Sequence, residues 1–83
     1  MSHLNIRSET LLSYDAGWEQ PLPDEIRNLI KVMNYSGADV GRLVGVSSRT
    51  VRKWVGGESP IPFSAWAILV EQATGEKIWA THS

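Results

Sequence analysis

Three cationic side chains, Arg49, Arg52 and Lys53, lie close together near the middle of the chain. Guanidinium groups hydrogen-bond to guanine edges in the major groove of DNA and ammonium groups pair with phosphates, so these residue types suit a nucleic-acid surface. On a helix, at about 100° per residue, Arg49 and Lys53 point away from an apolar seam. That seam consists of Val51, Trp54 and Val55. Such a charged run is more often an ordinary solvated face, so its function depends on the elements around it.

The surrounding residues predict two short helices joined by a tight turn. Ser36 is a suitable N-cap for the first helix, and Gly45 a suitable end, because glycine adopts positive φ at low cost. Ser47 is a suitable N-cap for the second helix, which Gly56 and Gly57 end. The first helix has an apolar stripe at i, i+3, i+4 spacing, formed by Val40, Leu43 and Val44. The stretch therefore predicts a helix-turn-helix whose second helix carries the cations.

This stretch resembles the Cro/CI (XRE-type) helix-turn-helix family, in which a G-V-S turn precedes T-[IV]-x-x-W-x-x-G. The matching residues are Ser36, Val40, Val44, Gly45, Val46, Ser47, Thr50, Val51, Trp54, Gly57 and Pro60. Two residues depart from the pattern: Gly37 replaces a glutamine that often contacts DNA, and Gly41 replaces the usual alanine. Gly41 allows close helix packing but weakens the helix by about 0.8–1 kcal/mol relative to alanine. The resemblance implies an all-α, lambda repressor-like bundle of four to five helices, similar to short phage or plasmid autorepressors.

Placed on this motif, the charged helix predicts specific contacts with double-stranded DNA. The predicted contacts to base edges in the major groove are Ser48, Arg49 and Arg52. The predicted contacts to the DNA backbone are Ser36, Gly37, Ser47, Thr50, Lys53 and Arg42. Arg42, taken alone, is more typical of a solvated charge. Trp54 is predicted as core, not as a base-stacking residue, because it lies on the apolar seam.

The formal net charge of −1 argues against a nucleic-acid partner, since DNA-binding domains are usually basic. The charge distribution answers part of this objection. Between Lys31 and Lys53 the chain has five basic residues and one acid, Asp39. We therefore expect one basic face on an otherwise acidic molecule, and modest non-specific affinity for DNA.

Several functional classes are not supported by the composition. The chain has no cysteine, which excludes disulfides and a thiolate zinc site. No apolar run approaches about 18 residues and no leader opens the chain, so we expect a cytoplasmic protein without a membrane span. His3 and His82 lie at opposite ends, and no paired carboxylates share a predicted face, so an enzyme is not supported. We expect no cofactor, metal or small-molecule effector.

Residues 1–20 predict a partly ordered N-terminal segment, and residues 21–83 the helix-turn-helix domain. The segment contains Leu11, Leu12, Tyr14 and Trp18. These apolar side chains favour packing or a dimer contact over an arm that reaches DNA.

Two more helices flank the motif. The first follows Pro23 and serves as scaffold; its apolar stripe is formed by Ile26, Leu29, Ile30 and Met33. The last, from Phe63 to Thr74, is apolar nearly all round, so we expect its surplus surface to join a second copy. The predicted dimer contacts are Trp66, Val70, Ile78 and Trp79. The two tryptophans fit a core position equally well.

The sequence thus predicts a homodimeric, sequence-specific DNA-binding regulator that acts on an inverted-repeat operator, most simply its own. Repression is favoured because a chain of 83 residues has no room for an effector pocket or an activation domain. Two alternatives stay open. One is a DNA-binding antitoxin whose apolar last helix covers a toxin, and the other is an interaction module that does not bind DNA.

Overall fold

Four α-helices form the body of the protein in a computed structural model, which describes residues 6–76 and 78. They are α1 (Pro23–Val32), α2 (Gly37–Val44), α3 (Ser48–Gly56) and α4 (Phe63–Thr74). Two short 3₁₀ turns, Ser8–Leu11 and Tyr14–Ala16, precede them. The part of the chain described here contains no strand. The predicted all-α bundle is therefore confirmed, with four helices.

Local signals in the sequence set most of the helix ends. The Ser36 Oγ accepts a hydrogen bond from the Asp39 amide at 3.1 Å, and the Ser47 Oγ accepts one from the Thr50 amide at 3.2 Å. Both are the predicted N-caps, which satisfy N–H groups that have no partner inside the helix. Pro62, in an extended conformation, is the N-cap residue of α4.

The hydrophobic core lies between the four helices and takes side chains from each of them. Its most deeply buried large residues are Trp66, Ile26, Ile61, Leu69, Ile78, Val40, Val51 and Val70. Trp54 is 3% exposed, so its predicted place in the core is confirmed. Fully burying one large apolar side chain stabilises a fold by roughly 1.5–3 kcal/mol, and this core fixes α3 through Val51 and Trp54.

The N-terminal segment, residues 6–20, packs over α4. The Thr10 carbonyl accepts hydrogen bonds from two indole N–H groups, of Trp66 at 2.9 Å and of Trp18 at 3.0 Å. Trp18 also packs edge-on against Phe63, with ring centroids 5.3 Å apart. The segment therefore completes the core on the side of α4.

This packing corrects the prediction for the dimer surface. Trp66, Val70 and Ile78 are 0%, 1% and 2% exposed, so they offer no free surface to a second copy, and the prediction is wrong for these three. The physical reason is that the N-terminal segment covers the face of α4 that we expected to be unpartnered. Trp79 lies outside the described residues.

Candidate nucleic-acid interface

Residues 45–47 form the tight turn between α2 and α3. The amides of Gly45 and Val46 both donate to the Gly41 carbonyl, at 2.8 and 2.9 Å. Gly45 has a φ of 83°, in the left-handed region that glycine adopts without a steric penalty. Both bonds engage the single Gly41 carbonyl, close α2 and send the chain directly into the N-cap of α3.

The turn packs against α2 at Gly41, with main chain against main chain. A Cβ added at Gly41 would lie 2.5 Å from the Val46 carbonyl oxygen and 3.4 Å from the Ser47 carbonyl carbon. Glycine is therefore required by this close approach, although it weakens α2 as a helix. This contact and the buried side chains of Val51 and Trp54 together hold α3 against α2.

The outer face of α3 carries three exposed cations, Arg49, Arg52 and Lys53. Within residues 6–76 and 78, no hydrogen bond or ion pair engages any of these three side chains. Arg49 and Lys53 are i,i+4 neighbours, and like charges at this spacing destabilise a helix by roughly 0.2–0.5 kcal/mol. The fold thus leaves a cluster of positive charge without a neutralising partner in the described chain.

Hydroxyl groups lie beside these cations at the start of α3. Ser48 and Thr50 are half-buried, whereas Ser47 is exposed. The Ser47 Oγ and the Thr50 Oγ1 are 3.2 Å apart and share a hydrogen bond. The predicted base-contacting residues, Ser48, Arg49 and Arg52, lie between the start and the middle of α3, with both arginines exposed.

The N-terminus of α2 is the second part of the predicted interface. Ser36 and Asp39 form a reciprocal capping box, in which the Ser36 amide also donates to the Asp39 carboxylate at 2.9 Å. That backbone hydrogen bond is the main reason why the pKa of Asp39 lies below its ordinary value. The N–H groups of Gly37 and Ala38 belong to the first helical turn, where they have no partner inside the helix.

Arg42 differs from the cations of α3, because its guanidinium pairs with Asp39 on the same helix. This ion pair neutralises the acid at the N-terminal end of α2. The phosphate contact predicted for Arg42 stays a prediction.

The sequence interpretation assigned α1 to the scaffold alone and missed a cleft between α1 and α3. Arg27 and Lys31 line it from α1, and Arg52 from α3. A signal was present in the sequence, since Arg27 and Lys31 are i, i+4 neighbours on the polar side of α1.

In residues 6–76 and 78, no cluster of three or more His, Asp or Glu side chains could hold a metal ion. None of the helices in this part of the chain is long and apolar enough to cross a membrane.

The protein is a small all-α protein in which α2 and α3 are joined by a tight turn and α3 carries exposed cations. These features place it in the class of helix-turn-helix proteins. Two curated relatives identify the particular family within this class. A transcriptional repressor protein KorC from Escherichia coli is 43% identical over 82 residues, which cover 95% of each chain. A second Escherichia coli transcriptional repressor protein KorC is 36% identical over 78 residues, covering 90% of this chain and 91% of the relative. The chain belongs to the KorC family of transcriptional repressors. No family model matches it, and no solved structure matches it.

Proposed function

We propose that the protein represses transcription by binding an inverted-repeat operator in double-stranded DNA as a homodimer, with α3 in the major groove. The observation that carries this proposal is the outer face of α3, where Arg49, Arg52 and Lys53 are exposed without a partner in the described chain. The named repressor relatives and the resemblance to the Cro/CI pattern support it. The simplest operator lies upstream of the protein's own gene.

Sequence readout is assigned to the beginning of α3. Arg49 and Arg52 are exposed, and each can donate two parallel hydrogen bonds to the O6 and N7 atoms of a guanine. Ser48, beside them, is short enough to contact a base edge only when α3 lies deep in the groove. These three residues give specificity, and each good arginine–guanine pair discriminates by about 1–3 kcal/mol.

Backbone anchoring is assigned to groups along α3 and at the start of α2. Lys53, in the last turn of α3, supplies a flexible point charge, and the hydroxyls of Ser47 and Thr50 supply hydrogen bonds. The first-turn amides of α2, at Gly37, suit a phosphate because the N-terminal end of a helix is partly positive. Ser36 caps that end, and Arg42 keeps the neighbouring Asp39 from repelling the phosphate.

The homodimer is proposed on energetic grounds. A single small module buries only about 600–1,000 Å² on DNA and reads a few base pairs. Two copies related by a two-fold axis read an inverted repeat with half-sites about one helical turn apart. Leu12 and Tyr14, in the N-terminal segment, are 40% and 66% exposed, so apolar surface outside α3 is still available for a dimer contact.

Footprinting on the DNA upstream of the protein's own gene tests this function, with fluorescence anisotropy to measure affinity at several salt concentrations. We expect protection of one inverted repeat and salt-sensitive binding. Lys53→Ala should weaken binding to all sequences and lower the magnitude of the log–log salt slope by about one unit. Far-UV circular dichroism of each variant controls for folding.

The opposite results have distinct meanings. Absence of DNA binding at low salt would contradict the whole proposal and favour an interaction module. Sedimentation of the free protein and of its DNA complex tests the dimer alone, and a monomer in both would overturn the inverted repeat.

A further inference from the structure

The cleft between α1 and α3 has a volume of about 490 Å³. Asn28, Lys31 and Asn34 line it from α1 and its end, while Arg52 lines it from α3. The apolar side chains of Ile30, Val51 and Val55 also border it. It is therefore an open, polar-edged groove with a partly apolar base.

The charge in this cleft is entirely positive. Three basic residues line it, Arg27, Lys31 and Arg52, and no acidic residue does. Arg27 is already engaged, because its Nη1 donates to the Val55 carbonyl at 2.7 Å and its guanidinium pairs with Asp24. Lys31 and Arg52, by contrast, make no ion pair or side-chain hydrogen bond within residues 6–76 and 78.

We propose that this cleft holds a phosphate of the DNA backbone, with Lys31 as its principal contact, so that α1 takes part in binding. The inference rests on the proposed function. Arg52 belongs both to the outer face of α3 and to the edge of the cleft. A DNA strand that leaves the groove-bound α3 therefore passes over the cleft. The exposed amides of Asn28 and Asn34 add hydrogen-bond donors, which phosphate oxygens accept readily.

An acidic polypeptide is the alternative occupant, because its carboxylates could pair with the same basic side chains. DNA is favoured because the cleft is continuous with α3 through Arg52. Polyanionic DNA also attracts a lysine whose charge is unpaired, and the released counterions make each such contact visible in the salt dependence.

The test compares wild-type protein with Lys31→Gln on operator DNA and on unrelated DNA, over a range of salt concentrations. We expect the variant to bind both DNAs more weakly by a similar factor, with the magnitude of its salt slope reduced by about one unit. A matched control is the double variant Lys31→Gln/Val32→Lys. It keeps the net charge but moves the cation one residue along α1, outside the cleft. If Lys31 acts by contact, the double variant stays as weak as Lys31→Gln.

Other outcomes overturn the inference. An unchanged salt slope in Lys31→Gln, or full recovery in the double variant, shows that Lys31 acts only through the overall charge. Binding of poly-glutamate that is lost in Lys31→Gln while DNA affinity is kept assigns the cleft to an acidic protein partner. These results differ from failure of the proposed function, in which the wild-type protein itself does not bind DNA.

Discussion

The cation of the N-terminal segment and the cations of α3 have opposite surroundings. The Arg7 guanidinium contacts the Glu25 carboxylate, with Nη2 to Oε1 at 3.0 Å, and the Glu19 carboxylate at 3.4 Å. It also donates to the Gln20 carbonyl at 3.4 Å. The α3 cations meet no such partner in the described chain. Arg7 therefore holds the segment to the start of α1, whereas the α3 charges stay unpaired within the described residues.

This difference explains why the net charge is a poor guide to function. The formal charge of −1 counts every acid equally, although several acids are neutralised by nearby arginines. Asp24 pairs with Arg27, Glu25 with Arg7, and Asp39 with Arg42. What a phosphate backbone meets is the unpaired charge on one face, and on α3 that charge is positive.

The largest expected effect is on the core beneath the N-terminal segment. Trp66→Ala should lower the free energy of unfolding by about 3–5 kcal/mol, because it removes a fully buried side chain and leaves a cavity. Urea denaturation followed by circular dichroism measures this loss. Trp66→Phe is the matched variant, which keeps most of the ring volume but loses the hydrogen bond to Thr10, and it should lose less. If the Trp66→Ala protein kept wild-type stability and only failed to dimerise, Trp66 would be a dimer contact and not a core residue.

An intermediate effect should separate the two kinds of cation. Arg49→Ala should cost about 1–3 kcal/mol of operator affinity and leave stability within about 0.5 kcal/mol, because its side chain has no partner to lose in the described chain. Arg7→Ala should show the reverse, with reduced stability and unchanged operator affinity in the folded protein. Anisotropy titrations measure the operator affinity of both variants, and urea denaturation measures their free energies of unfolding. Equal loss for Arg49→Ala on operator and random DNA would instead make Arg49 a backbone contact.

The smallest expected effect is the pH dependence of the Arg7 pair. The hydrogen bond from Arg7 is the main cause that lowers the pKa of Glu25 below its ordinary value of 4.5. A lowered pKa in the folded state means that this stabilisation is complete above the ordinary value and is lost as the pH falls from there through the lower pKa of the folded protein. Glu25→Gln should therefore lose less stability than wild type between about pH 5 and pH 3. Glu58→Gln, which removes an exposed acid without an ion pair in the described chain, is the control. Identical curves for wild type and Glu25→Gln would show that the pair contributes nothing.

Features that depend on a few neighbouring residues could be predicted from the sequence. The caps at Ser36 and Ser47 and the helix end at Gly45 are properties of single residues and their near neighbours. The face of α3 follows from helical periodicity. All of these lie where the sequence placed them.

Features that depend on which distant surfaces meet could not be predicted in this way. Helix α4 is apolar nearly all round, and this pattern fits burial under another segment of the same chain as well as contact with a second copy. In the structure the N-terminal segment covers α4, and its Thr10 carbonyl accepts indole hydrogen bonds from Trp18 and Trp66. The cleft beside Lys31 was missed for the same reason, since it exists only where α1 and α3 come together.

The close approach of Gly41 to Val46 has a consequence for how such proteins diversify. Because main chain meets main chain there, the angle at which α3 is presented does not depend on the side chains of its outer face. On the base readout proposed above, substitutions at Arg49 and Arg52 would change the preferred DNA sequence while the helix keeps its orientation. On that proposal, a few exchanges on this face are enough to give two proteins with this fold separate operators.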